Sequence, residues 1–155
     1  MSKTKDGIKV KGSYRLQLTE DGKVVGDTGW LNNQIVNLGF NHYLVSTLGA
    51  IAGSKQISHM ALGSGGAPAA ADTSLAGEVE KRAAITAATS STSKTVRFTA
   101  TFNSSDSFVT NTQNLSNVAL VNTSSSGSIF AGNTFASSSC ATNQNVNATY
   151  DITFA

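Results

Sequence analysis

A chain of 155 residues suffices for one domain with a sizeable hydrophobic core. Hydrophobic residues make up 39% and charged residues only 13%, about half the usual charged share, so polarity here comes without charge. A net charge of +2 leaves no basic surface dense enough to displace counterions from nucleic acid, and one cysteine, Cys140, excludes an internal disulfide and a cysteine-based zinc site within one chain.

The N-terminal MSKTKDGIKVKGSYR has basic residues but no apolar run behind them and does not read as a secretory signal. The longest apolar stretch, Tyr43 to Ala52, is broken by Ser46, Thr47 and Gly49 and is too short to span a bilayer. A soluble protein made in a cytoplasm, with no membrane partner, is the expectation. Residues 1–12 read as a flexible basic arm, with Lys3, Lys5, Lys9 and Lys11 suited to an acidic partner surface. Ile8 and Val10 in the same arm are suited to strand addition on a neighbour. Residues 13–155 then form a single domain.

Tyr14, Leu16 and Leu18 alternate with Arg15 and Gln17, and Glu20-Asp21-Gly22-Lys23 supplies a hairpin turn before Val24-Val25. A further extended piece runs from Trp30 to Val36, with Trp30 read as a core anchor. Asn37 is a candidate helix cap. Phe40, Leu44, Leu48 and Ile51 follow at helical spacing, predicting an apolar stripe packed on a sheet, with Gly53 as the stop. Next, Asp72-Thr73-Ser74 offers capping oxygens before Leu75, Glu78, Val79, Glu80, Lys81 and Arg82, which predict a short second helix of about two turns.

After Ala83 the pattern is that of strands. Val96, Phe98, Ala100 and Phe102 alternate with polar residues, as do Val146, Ala148, Tyr150, Ile152 and Phe154. Val118 to Val121 and Ile129 to Ala131 flank Asn122 to Gly127 as a hairpin, and Gly132 suggests a bulge. The fold class predicted is mainly β: an antiparallel, jelly-roll-like sandwich with one main α-helix and a short second helix. From Ala83 to Ala155 the only charged residues are Lys94, Arg97, Asp106 and Asp151, the composition of a wet surface lying close to copies of itself.

Catalytic constellations are thin. Gly63-Ser64-Gly65-Gly66 after Met60-Ala61-Leu62 looks like a phosphate loop, but Ala67-Pro68-Ala69 follows where a Walker motif needs lysine and a hydroxyl. No dinucleotide fingerprint runs into a helix either. Gly63, Gly65 and Gly66 therefore read as a turn, and Asp72 and Thr73 as the cap of the short helix that follows. His42 and His59 lack partners at metal-binding spacing, Glu78 and Glu80 sit two apart, and no Gly-x-Ser-x-Gly elbow occurs. The SSSCAT surroundings of Cys140 suit a surface or half-buried thiol. These readings point to a protein that is not an enzyme, without catalytic residues, cofactor or metal.

The order Asn33-Gln-Ile-Val-Asn37-Leu-Gly39, an apolar helix, Ile57-Ser-His-Met-Ala-Leu-Gly63-Ser-Gly65, Asp72-Thr73-Ser-Leu75, then Glu78 and Arg82, resembles a module of virion proteins from tailed bacteriophages. The strand Val96 to Phe102 and the final Tyr-Asp-Ile-Thr-Phe are similar too, so the resemblance covers most of residues 30–155. It implies a non-enzymatic structural part located in the virion and assembled in the host cytoplasm. The chain ends at Ala155 without a repetitive shaft or tip domain, which favours a small exterior protein such as a capsid decoration or cement protein. The alternative is a tail, baseplate or fibre-associated protein, with a share in carbohydrate binding at the host surface. Partners would be other virion proteins, major capsid or tail proteins, together with copies of itself, a trimer being favoured because strand edges after Ala83 lack guarding lysines.

Overall fold

The computed structural model describes residues 7–90 and 94–155. Within them the period-two tracts form two antiparallel sheets stacked as a sandwich. The first sheet contains, in spatial order, β2 (Lys23–Asp27), β1 (Val10–Glu20), β11 (Asn145–Phe154), β8 (Thr95–Phe102) and β7 (Thr86–Ser90), with β3 (Leu31–Asn32) also paired to β1. The second contains β4 (Gln34–Ile35), β10 (Ile129–Cys140), β9 (Gln113–Val121), β5 (His59–Gly63) and β6 (Ala83–Ala84).

Register decides which side chains are wet. Tyr14 lies opposite Tyr150, which lies opposite Phe98, and all three point inward. One residue away, Ser13, Asp151 and Arg97 form the corresponding row on the outer face. A slip of one residue would exchange the two faces, so the apolar alternation fixes the pairing. The stacked rings of Tyr14 and Tyr150 lie 5.4 Å apart, and those of Phe102 and Phe108 lie 5.6 Å apart. Phe98, Phe102, Tyr150 and Ile152 share one core with the partly buried Val96 and Phe154, the grouping that the alternation predicts.

Local signals are realised, one of them displaced. Asp21 and Gly22 take φ values of 49° and 74°, as a tight β1–β2 hairpin requires. In the β9–β10 hairpin the register skips between Ile129 and Ala131, so the bulge expected at Gly132 lies at Phe130. Gly132 itself pairs with Ala119, and a Cβ there would meet the Val118 carbonyl at 2.6 Å. Close backbone approach, and not the bulge, is why that position is glycine.

The main helix forms, but its phase differs from expectation. A π-helical segment, Gly39–Val45, runs into one α-helical turn, Ser46–Leu48, and Asn37 makes no side-chain cap. Gly39 and Tyr43 are the buried positions. A Cβ at residue 39 would lie 2.2 Å from the Phe130 carbonyl oxygen, so glycine lets the helix sit directly on β10. Tyr43 then packs edge-on against Phe130 at 5.3 Å and donates its hydroxyl to the Ser128 carbonyl. Because i→i+5 bonding changes the angular step per residue, the stripe computed at 3.6 residues per turn rotates away from the sheet. Leu44 stays partly buried, while Phe40, Val45, Leu48 and Ile51 are exposed, Leu48 at 91%.

The second helix expected over Leu75 to Arg82 is absent: those residues form an irregular strap with one bridge, Glu78 to Gly63, and the other helical turn is a 3-10 turn at Ser104–Asp106. The sheet also begins inside the predicted arm. Lys9 exchanges two backbone hydrogen bonds with Ala155 (2.6 and 2.8 Å), and Val10 and Lys11 pair with Phe154 and Thr153. Val10 and Lys11 are thus already in the domain's own sheet, Ile8 is exposed, and Lys3 and Lys5 lie outside the described residues.

All three tyrosines, Tyr14, Tyr43 and Tyr150, are buried, and burial raises each phenol pKa, that of Tyr14 to about 12. A folded pKa above the unfolded one means that this stability is complete below about pH 10 and is lost as pH rises through the folded values. Ultraviolet titration is expected to show no free tyrosinate near pH 10 and ionisation only together with unfolding. Three phenols titrating independently near pH 10 in folded protein would contradict this burial.

Candidate functional site

The glycine turn is built for backbone contact. Ser64 N–H donates to Gly77 O (3.0 Å) and Gly65 N–H to Ala76 O (3.2 Å), so both amides already have partners within the chain. Asn117 ties the turn down by donating to Gly66 O (3.1 Å) and Ala76 O (2.9 Å). A Cβ at Gly63 would lie 2.5 Å from Asn117 Oδ1, and one at Gly65 would lie 2.5 Å from Ala76 O. Asp72 does act as a cap, but of the preceding turn: its carboxylate accepts from Ala69 N–H (2.8 Å) while its own N–H donates to Ala69 O (3.0 Å). Thr73 offers its carbonyl to Ile129 N–H at 3.1 Å.

Glu78 and Arg82, assigned from sequence to a short helix, are instead a largely buried pair in an irregular strap, with side chains 23% and 7% exposed. Arg82 also donates to Thr123 O (2.9 Å) and Ser126 O (2.7 Å), pinning the β9–β10 loop. Burial, followed by the neighbouring Arg82 charge, lowers the pKa of His59, whose Nδ1 contacts Ser58 Oγ at 2.8 Å. Cys140 is fully buried, and burial raises its thiol pKa. Among the described residues no three His, Cys, Asp or Glu side chains cluster as metal ligands would.

Besides the exposed helix row and the β7 edge, two surfaces of the sandwich stand out. One is a cleft of about 420 Å³ between the sheets, lined by Leu16, Leu18, Leu31, Leu115, Phe135 and Val146 among others. The other is the outer face of the first sheet, and it holds Trp30. The sequence reading put Trp30 in the core; it is 47% exposed. Leu31 pairs with Tyr14, an inward residue, so the preceding Trp30 falls on the outward phase. Its ring lies 5.5 Å from the Arg97 guanidinium.

The ground beneath this indole is firmly constructed. Arg97 Nε and Nη2 each donate to Asp151 at 2.8 Å, a bidentate pair across β8 and β11. A second bidentate pair joins Arg15 to Asp27, and Asp27 also accepts from Gln17 Nε2 (3.0 Å) and Gly29 N–H (2.8 Å). Hydrogen bonds from Arg15, Gln17 and Gly29, in that order, hold the Asp27 carboxyl well below the usual carboxylate range. Gly29, at φ 66°, makes the turn that delivers Trp30 onto the sheet. Thr149 and Thr99 continue the Arg15 row, opposite one another in register, with Asn147 and Thr101 one row further.

Sequence reasoning missed this group, although one signal was present: Arg97 and Asp151, two of the four charges after Ala83, both fall on the outward phase of regular strands. Comparison of the chain with known protein families, with curated proteins and with solved structures finds no match. The fold and the face therefore stand on their own geometry.

Proposed function

We propose that this chain is a non-enzymatic structural component of a tailed-phage virion, a small exterior protein that works as an oligomer, with capsid decoration as the favoured role. The observation that carries the reading is the uncovered side of the main helix and of the turn that follows it. Phe40, Val45, Leu48 and Ile51 are all exposed within twelve residues, an apolar row that an isolated domain gains nothing by showing to water. The edge strand β7, Thr86–Ser90, adds an uncharged sheet edge free of proline. Copies of the chain and a major capsid protein are the surfaces proposed to cover these features. The module-like order of short motifs supplies the virion context.

The test is particle composition. Purified virions are expected to contain the chain in hundreds of copies; a few to dozens would move the role to the tail or fibres, and absence from the particle would reject it. In solution, light scattering is expected to report a trimer that Leu48→Glu or Ile51→Glu converts to monomer. Wild-type protein that remains monomeric both in solution and on the particle would count against oligomeric assembly.

A further inference from the structure

We infer that the outer face of the first sheet around Trp30 is a binding site for a neutral glycan. The inference is independent of the virion assignment. Three rows of side chains make the face: Ser13, Asp151 and Arg97; Arg15, Thr149 and Thr99; Gln17, Asn147 and Thr101. With strands about 4.8 Å apart and a two-residue repeat of about 6.8 Å, the patch measures roughly 10 by 14 Å, room for two linked sugar rings.

The chemistry points to one ligand class. An exposed indole presents a rigid apolar plane, which suits the C–H face of a pyranose. Around it stand carboxylate, guanidinium, amide and hydroxyl groups, the donors and acceptors that vicinal hydroxyls need. Each guanidinium is already paired in bidentate fashion with a carboxylate, so in these rows no unpaired cation is left to favour phosphate, sulfate or an acidic polymer. Within these three rows, with Asp27 counted beside Arg15, the charges cancel, and the ligand proposed for them is neutral.

The site is also pre-formed. Trp30 is delivered by the Asp27–Gly29 turn and backed by Arg97, which Asp151 fixes, so little ordering remains to be done on binding. Arg97 and Asp27 are positioning residues in this scheme, while Trp30, Thr99, Thr149 and Asn147 make the contacts. In a chain so poor in charge, two complete ion pairs beside the only tryptophan form a concentration that sheet pairing alone does not require.

Because Trp30 is the sole tryptophan, its fluorescence reads the site directly. The full chain would be titrated with methyl glycosides of glucose, galactose and mannose, and with neutral glucan, galactan and mannan chains. At least one neutral series is expected to shift or quench the emission saturably, more tightly as the chain lengthens from one ring to two. Trp30→Ala, followed by affinity electrophoresis in the same polysaccharide, is expected to weaken binding at least about tenfold. Trp30→Tyr retains a ring and is expected to recover part of it. Thr99→Val with Thr149→Val is expected to weaken binding without changing the melting curve, which separates contact from folding. Arg97→Ala is expected to broaden and red-shift the emission of the free protein, as a freed indole would. No response to any neutral glycan, equal binding by Trp30→Ala, or a response confined to sulfated or phosphorylated polymers would each overturn the inference.

Discussion

Replacing Phe98 with alanine is expected to cost about 3–5 kcal/mol of folding stability, enough to consume much of the roughly 5–15 kcal/mol available to a domain. Phe98 stands on β8 between Tyr150 and Ala87 and is buried in the core beneath the main helix. Removing its ring leaves a void walled by both sheets, which cannot collapse without moving strands whose register is fixed on either side. Urea melts should show the midpoint falling with an unchanged slope. Phe40→Ala is the matched control, because Phe40 is exposed and its loss should fall within about 0.5 kcal/mol. A loss below about 1 kcal/mol at Phe98 would mean that the core is built on other residues.

Arg82→Ala is expected to cost about 3 kcal/mol, the low end for breaking a buried ion pair by deleting one partner. Glu78 would be left as an unpaired, partly buried carboxylate, and the Thr123 and Ser126 carbonyls would lose their donor. Glu78→Gln keeps an acceptor for the guanidinium and should cost clearly less. The damage should be local: amide hydrogen exchange is expected to rise first in the loop between β9 and β10. An Arg82→Ala protein with native stability and an unchanged loop would show that the strap is held by apolar contacts of Leu75 and Val79 alone.

The β architecture was legible because alternation is a strong and local signal. Val96 to Phe102 and Val146 to Phe154 each declare a wet face and a dry face, and Asp21-Gly22 declares a turn. The helix was legible as a helix but not in its phase, since a close glycine contact between Gly39 and Phe130 sets its seat and its widened winding. At Leu75 to Arg82 local capping and charge spacing favoured a helix, and tertiary bonding won: Val79 N–H is taken by Leu62 O and Glu80 N–H by Phe108 O. Trp30 was misplaced because a large aromatic beside a strand is usually core; only the β1–β3 register reveals its outward phase. The outer face around Trp30 needs three stretches distant in sequence to meet, residues 13–30, 97–101 and 147–151, so no local motif announces it.

One feature of the first sheet bears on how the chain folds. β11 sits between β1 and β8, and Val10 finds its partner at Phe154. The β1–β2 hairpin can close early, yet it has no place in the sheet until β11 has been made, whereas the β5–β9–β10 pairing joins residues nearer in sequence. Such distant pairing imposes a large loop-closure entropy and slow folding, with apolar strand surface waiting uncovered in the meantime. Joining residue 155 to residue 7 through a short linker and opening the chain in the exposed loop at residues 110–112 would make β11 and β1 neighbours in sequence and keep the β9–β10 hairpin local. That permutant should reach the same sandwich by a faster route, making arrival of β11 the step that times assembly.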